Sequence, residues 1–203
     1  MNRNSFPIVF RRRGSYLVYD TFTDDDAVIL PDHTPNVDVE GGGWSEEVGS
    51  WAIIGNKAYV DTKVAQSEFA VIDAGEADCT IEVAITMTDD GAAIDHNVGL
   101  CFRYSATNDW WIFFFDIGGA NADNLILGKY VTGVWTEVDK DAFVWNIGET
   151  KIMKIVMEGD DISCYIDDVL ITSTTDAHNN TDAKHGLFNN NTITQRWDEF
   201  KIS

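Results

Sequence analysis

The residues best equipped for chemistry in this chain are its carboxylates, which number 34 in 203 residues. A retaining glycosidase needs two of them about 5–5.5 Å apart across one sugar. The apolar run that ends at Asp116 supplies a single acid, and adjacent Asp167 and Asp168 would point to opposite faces of a strand. No nucleophile elbow, phosphate-binding glycine loop or cysteine–histidine pair of known spacing is present. The sequence therefore predicts a protein that is not an enzyme.

Histidines and cysteines are further candidates, but their positions favour structural roles. None of the four histidines is paired at a spacing typical of metal ligands, and His33 is expected to lock its loop by a hydrogen bond. The three cysteines, Cys79, Cys101 and Cys164, lie inside apolar runs. Their odd number and irregular spacing predict reduced, buried thiols.

Aromatic residues offer a binding chemistry, because flat rings can stack on the apolar face of a sugar. Seven tryptophans are present, and adjacent Trp110 and Trp111 must point to opposite sides of a strand. At most one of the two can lie in a core between two sheets, so the other faces a concave surface or a covering loop. We therefore name Trp110 and Trp111 as candidate carbohydrate-binding residues, with core packing as the alternative. Further possible platforms are Tyr104, Trp135 and Trp145.

Charge is unevenly distributed along the chain. The net charge of −20 argues against nucleic acid as a general partner, because phosphate would be repelled. The first 13 residues nevertheless hold four arginines and no acid, so the rest carries 10 basic and 34 acidic residues. One interpretation of Arg3, Arg11, Arg12 and Arg13 is a solvated tail. The other is an arm that docks on the acidic body of another copy, in a homo-oligomer, or on another acidic subunit.

Short strand patterns dominate the chain after this basic segment. Residues 80–88 alternate strictly, with Ile81, Val83 and Ile85 on one face and polar residues on the other. No segment combines a helical period with helix caps. No apolar run reaches about 18 residues, so a membrane-spanning helix is excluded.

Turn signals divide these strands at regular intervals. The clearest hairpin joins residues 151–158 to 162–166 through a Gly-Asp-Asp turn. Many short strands separated by Gly, Asn and Asp clusters are typical of an antiparallel sandwich or barrel. We predict an extended N-terminal arm at 1–15 and one all-β domain at 16–203. The domain is expected to be a two-sheet antiparallel jelly-roll β-sandwich of about a dozen strands.

A series of short motifs follows an order that resembles a known superfamily. They are residues 20–22 (DTF), 30–36 (LPDHTPN), 42–44 (GGW), 49–53 (GSWAI), 55–58 (GNKA), 158–168 (EGDDISCYIDD), 186–188 (GLF) and 197–200 (WDEF). In this order and spacing the chain resembles the concanavalin A-like lectin/glucanase superfamily, in its laminin-G-like branch. It looks most like the version found in tailed-phage virion proteins, and the resemblance covers about residue 16 to the end.

The resemblance implies a non-enzymatic virion structural protein that assembles on a tail, baseplate or capsid surface. Its partners would be other virion proteins and copies of itself, with a cell-surface glycan as a further contact. Its location would be the virion, after synthesis in the host cytoplasm, and no secretory signal is visible at the N-terminus. The alternative is a free carbohydrate-binding module or lectin. A third reading is a glycosidase or lyase, although the E-x-D-x-x-E strand of laminarinase-like relatives is absent.

The resemblance also implies a structural calcium ion. In glucanase-like relatives such an ion joins the N-terminal region to an aspartate just before the last strand, which matches Asp198. Asp20 would lie close to it if the first and last strands pair. Ca²⁺ takes about 6–8 oxygen ligands, mostly carboxylates and carbonyls. We therefore name Asp20 and Asp198 as candidate metal ligands.

Overall fold

The structure is a computed structural model that describes residues 15–65, 67–88, 96–118, 123–191 and 194–203. Within these ranges the chain consists of β-strands and one 3₁₀ turn, with no α-helix. Nothing helical in the described ranges has the length and hydrophobicity needed to span a bilayer. The four arginines of the predicted arm (Arg3, Arg11, Arg12 and Arg13) lie outside the described residues.

The strands form two antiparallel sheets. In chain order they are β1 (Val18–Asp20), β2 (Val37–Asp38), β3 (Ser45–Val48), β4 (Ser50–Ile53), β5 (Ala58–Thr62), β6 (Ser67–Asp73), β7 (Thr80–Thr86), β8 (His96–Ala106), β9 (Asp109–Ile117), β10 (Asn124–Val131), β11 (Val134–Ala142), β12 (Thr150–Glu158), β13 (Asp161–Ile166), β14 (Val169–Thr175), β15 (Lys184–Asn190) and β16 (Arg196–Ile202), with the 3₁₀ turn at Leu30–Asp32. The nine-stranded sheet has the order β14-β13-β12-β7-β16-β1-β2, and β5 and β4 branch from β16. The seven-stranded sheet has the order β11-β10-β9-β8-β15-β6-β3. The prediction of a two-sheet antiparallel jelly roll is confirmed.

The first and last strands pair, so the two ends of the domain hold each other. β1 lies against β16 with Val18 opposite Ile202 and Asp20 opposite Phe200. All four of these side chains are fully buried. This pairing completes the nine-stranded sheet by joining strands that are far apart in the sequence.

The predicted hairpin is confirmed as β12 and β13, with Met157 opposite Ile162. A second turn, at Asp167 and Asp168, joins β13 to β14, and φ is positive at both residues, 49° and 64°. A two-residue turn with positive φ at both positions matches the twist of the strands that it connects. Aspartate tolerates this conformation better than most residues, which explains its use here.

The core between the sheets is built from alternating residues of both sheets. Ile81, Val83 and Ile85 of β7 are fully buried, as their alternation predicts. Phe113 and Phe115 of β9 belong to the same cluster. Burying one such aliphatic or aromatic side chain stabilises the fold by about 1.5–3 kcal/mol relative to exposure. The residues of β9 that alternate with Phe113 and Phe115 are also apolar, and they face away from this core.

Gly186 of β15 occupies a position where two strands approach closely. A Cβ atom there would lie 1.9 Å from the carbonyl oxygen of Ala70 on β6. Any side chain would therefore push the two paired strands apart. Glycine is required here by space and not by its φ angle.

Candidate functional site

The outer face of the seven-stranded sheet carries a second hydrophobic cluster, although the outer face of an antiparallel sheet is commonly polar. Its buried members are Phe69, Val71, Cys101, Tyr104, Trp110, Ile112, Phe114, Ile126 and Phe188, with Val48 and Tyr130 packed against them. We call this surface the aromatic face. It arises mainly from β9, in which every residue from Trp110 to Phe115 is apolar, so that both sides of the strand are apolar.

A groove of about 320 Å³ lies on the aromatic face. Ile112, Phe114 and Ile126 are among its apolar lining residues, and Trp135 and Asp116 line it as well. The exposed lining of the groove is more polar than apolar, and its polar groups converge beside aromatic and aliphatic side chains, a combination that can orient a small polar ligand. The groove is therefore the candidate functional site of this chain.

Trp135 is the exposed aromatic residue of the groove, with 37% of its surface accessible. Its ring lies over Gly128 of the neighbouring strand, where a Cβ atom would come within 2.1 Å of the indole. The ring centroid is 5.6 Å from that of Tyr130 and 6.3 Å from that of Phe114. Gly128 thus leaves the space that lets the indole lie against the sheet while part of the ring stays open to solvent.

A row of polar side chains crosses the same face next to the aromatic rings. Its members are Asn124, Asp116, Asn97, Asn190 and Ser67, each opposite the next on neighbouring strands. We call this set the polar row. With its nitrogen oriented as donor, the Asn97 amide reaches Asp116 Oδ1 and the His96 carbonyl oxygen, each at 2.8 Å. Asn190 Oδ1 is buried and has no hydrogen-bond donor among the described residues.

Trp110 and Trp111 point to opposite faces, as their adjacency predicts. Trp111 is fully buried between the sheets, and its indole nitrogen donates to the His178 carbonyl oxygen at 3.0 Å. Neither face of its ring is open, so Trp111 cannot stack on a ligand. Trp110 lies on the aromatic face with 4% exposure, packed 4.4 Å from Tyr130 and 4.9 Å from Phe69 between ring centroids. Trp110 therefore packs beneath the groove. The ring that is open to solvent belongs to Trp135, two strands away.

Two carboxylates, Asp116 and Glu137, line the groove, but they are far apart along the sheet. Asp116 is opposite Asn124, whereas Glu137 is opposite Gly128, four residues further along β10. With strands about 4.8 Å apart and a rise of about 3.4 Å per residue, their Cα atoms are separated by roughly 17 Å. A glycosidase pair spans about 5–10 Å between carboxyl groups. The pairing register of the strands therefore places the two carboxylates too far apart to act on one glycosidic bond.

Asp20, a predicted calcium ligand, is fully buried and is surrounded by hydrogen-bond donors. Oδ1 accepts from the Phe22 backbone N–H at 2.7 Å, and Oδ2 accepts from Trp44 Nε1 at 2.7 Å. His33 Nε2 is 2.9 Å from Asp20 Oδ1, and its Nδ1 is 2.9 Å from Asp24 Oδ2. The loop-locking role predicted for His33 is confirmed. Burial acts to lower the pKa of His33, but the hydrogen bonds to Asp24 and Asp20 outweigh it and raise the pKa above its ordinary 6.5.

Asp198, the other predicted ligand, is already compensated by a cation. Lys57 Nζ donates to its Oδ2 at 2.7 Å, and the Glu199 backbone N–H donates to its Oδ1 at 2.8 Å. In the part of the chain that the structure describes, no three His, Cys, Asp or Glu side chains converge as metal ligands do. A calcium ion would have to displace the donors around Asp20 and the ammonium group on Asp198. These two residues therefore do not fit the calcium site that the resemblance implies.

The groove contains residues that sequence reasoning ranked low or missed. Trp135 is one possible platform among several in the sequence, and Asn190, in the run Asn190-Asn191-Thr192, is expected there only as a loop asparagine. The positions of both residues in the groove follow only from the pairing register, which sets Asn190 opposite Asn97 and Trp135 opposite Tyr130. The local signal in the sequence is that the outward-facing residues of β9 are apolar. This signal indicates which face of the sheet carries the site, but not which strands pair to form it.

No protein-family model and no curated protein matches the sequence. Solved structures do resemble the fold. The carbohydrate-binding module CBM66 from Bacillus subtilis has a TM-score of 0.55 at 20% identity, over 78% of this chain and 90% of that chain. A Bacillus licheniformis β-glucanase has a TM-score of 0.55 at 11% identity, over 89% and 99%. The GH43 protein BlXynB from Bacillus licheniformis has a TM-score of 0.62 at 14% identity, over 97% of this chain and 40% of that chain.

At these identities the likeness establishes the fold alone. The chain shares its two-sheet jelly-roll fold with these structures. The chemistry of its groove has to be argued from its own residues.

Proposed function

We propose that this protein binds carbohydrate on its aromatic face and catalyses no reaction there. The observation that carries the proposal is that the solvent-facing ring of Trp135 lines the same groove as the hydrogen-bonding groups of Asp116 and Asn190. An open indole and buried polar groups within one groove supply the two kinds of contact that a sugar needs. The proposal concerns this groove and does not depend on the rest of the surface.

Sugars suit the groove because they have both apolar C–H faces and hydroxyl edges. A C–H face stacks on an aromatic ring, and hydroxyl groups donate to carboxylate and amide oxygens. Phe114 links the two parts: its ring is 6.3 Å from that of Trp135, and Asp116 follows two residues later on the same side of β9. Such neighbours on one strand are about 7 Å apart. One ligand above Phe114 therefore contacts both the indole and the polar row.

The names of the similar structures support this proposal at the level of the fold. One is a carbohydrate-binding module and another is a β-glucanase. A jelly roll hosts many functions, so this support is weaker than that of the groove itself. The two observations are independent and favour the same ligand class.

The spacing of the carboxylates supports the proposal of binding without catalysis. Asp116 and Glu137 are roughly 17 Å apart at their Cα atoms, beyond the span of a glycosidase pair of about 5–10 Å. Asp116 also accepts a hydrogen bond from the Asn97 amide, which holds it in place as an acceptor. We therefore assign Asp116 to ligand binding rather than to proton transfer.

The test is a glycan array followed by titration calorimetry with the glycans that bind. Trp135→Ala should weaken binding about tenfold, since loss of an aromatic platform costs on the order of 1–1.5 kcal/mol. Tyr165→Ala is the matched control, because Tyr165 lies under Lys154 on the outer face of the other sheet. The glycan affinity of the Tyr165→Ala variant should equal that of the wild type. The absence of glycan binding, or equal losses in the two variants, would refute the proposal.

Assembly on a phage virion is a second candidate function, and it rests on the sequence motifs and on the basic arm. Four arginines without an acid precede a body of net charge −24, so the arm would be attracted to an acidic partner surface. None of the three similar structures described above is a virion protein. Deleting residues 1–13 should abolish self-association or incorporation into particles if this role exists. Unchanged assembly of the truncated chain would reject it.

A further inference from the structure

The groove repeats one pair of chemical groups from strand to strand. On β9, Phe114 is followed two residues later by Asp116, and on β15 Phe188 is followed by Asn190 in the same way. All four residues line the groove. Both strands pair antiparallel with β8, so they run parallel to each other, roughly 10 Å apart. Each therefore presents an aromatic ring and, on the same side of the sheet, a polar group.

The pairing register aligns these two pairs side by side. Gly99 of β8 is opposite both phenylalanines, whose ring centroids are 5.5 Å apart. Asn97, two residues away on β8, is opposite both polar residues. The rings therefore form one line across the strands. The polar row forms a second line beside it, about 7 Å away along the strands.

The strand β11 continues the same pattern at one end of the groove. It also runs parallel to β9, and on it Trp135 is followed two residues later by Glu137. The Trp135 ring centroid is 6.3 Å from that of Phe114. At the opposite end, Ser67 of β6 lies beside Asn190. From β11 to β6 the lining residues cover five interstrand spacings of about 4.8 Å, a total of roughly 24 Å, and a single sugar ring occupies only a fraction of this length.

We infer that the groove binds a linear chain of several sugar units laid across the strands, and that single sugars bind it only weakly. This inference rests on the proposed function and narrows its ligand class. A linear oligosaccharide repeats an apolar face and a hydroxyl edge from unit to unit, which matches a site that repeats a ring and a polar group. The ligand loses its translational and rotational freedom once, so each further unit adds contacts at a smaller entropic cost.

The experiment is titration calorimetry with size series of linear glycans, namely cellulose, laminarin, xylan and galactan fragments from the monosaccharide to the hexasaccharide. In a series that binds, the affinity should rise at least about tenfold from the monosaccharide to the tetrasaccharide. Asn190→Ala and Ser67→Ala, at the end of the groove away from Trp135, should each weaken binding of the tetrasaccharide severalfold and reduce this rise. Asn146→Ala is the matched control, because Asn146 is exposed and does not line the groove. It should leave the whole series unchanged.

The outcomes separate the inference from the function on which it rests. Equal affinity for the monosaccharide and the tetrasaccharide, lost in Trp135→Ala, would overturn the inference and leave the proposed function in place. A gain with length that Asn190→Ala and Ser67→Ala leave unchanged would mean that the chain does not follow the groove, and it would also overturn the inference. Array binding confined to glycans without a linear segment would do the same. Binding of no glycan at all would overturn both. Melting temperatures of all variants confirm that each is folded.

Discussion

Individual side chains in this protein serve two different purposes, and Asp20 and Asp116 illustrate them. Asp20 is fully buried, and its carboxylate oxygens are hydrogen-bonded to Phe22, Trp44 and His33. It therefore holds the N-terminal loops together. Asp116 lines the groove, where its Oδ1 accepts a hydrogen bond from the Asn97 amide. The sequence contains 34 acids and does not distinguish these two. Their roles follow from the donors that the fold brings to each.

His33 gives a pH-dependent prediction at the scale of one residue. Its pKa is raised in the folded protein, net of burial, by hydrogen bonds to Asp24 and Asp20. The folded state therefore binds this proton more tightly than the unfolded state does. The stabilisation is fully present below the unfolded pKa of about 6.5 and is lost as the pH rises through the raised folded pKa.

The measurement is the free energy of unfolding between pH 5.5 and 9, for the wild type and for His33→Gln. The difference between them should be largest below pH 6.5 and should shrink as the pH rises. A difference that stays constant over the whole range would contradict the ionic role of His33.

At the scale of elements, alternation predicts strands well and predicts their partners poorly. The pattern in residues 80–88 located β7 and its buried face, and the turn signals located the hairpin of β12 and β13. The groove depends on pairing between β10 and β11, which includes a register shift between Leu127 and Gly128. A local pattern does not specify a bulge of this kind, so the sequence did not place Trp135 over Gly128.

Gly128 is the residue through which β10 positions the platform on β11. A Cβ atom in Gly128→Ala would lie 2.1 Å from the Trp135 ring, so the indole must move. We expect a shift in tryptophan fluorescence and about tenfold weaker glycan binding. In a Trp135→Ala background the same substitution should have no further effect on affinity. An additive loss in the double variant would mean that Gly128 acts independently of Trp135.

At the scale of the whole molecule, the first and last strands pair and close the nine-stranded sheet. The pairing of β1 with β16 brings Asp20 to its donors, while Asp198 is held by Lys57. Treatment with EDTA should therefore leave the melting temperature unchanged. A fall of more than about 3 °C, reversed by added Ca²⁺, corresponds to roughly 1 kcal/mol in a chain of this size and would contradict this prediction.

The central claim is that a saccharide occupies the aromatic face, and the seven tryptophans allow it to be tested directly. The measurement is the set of indole N–H signals in ¹⁵N-labelled protein during titration with a neutral oligosaccharide found to bind. The account predicts a shift of the Trp135 signal, while Trp51 and Trp197, buried between the sheets, stay unchanged. Binding that leaves Trp135 unaffected would contradict it.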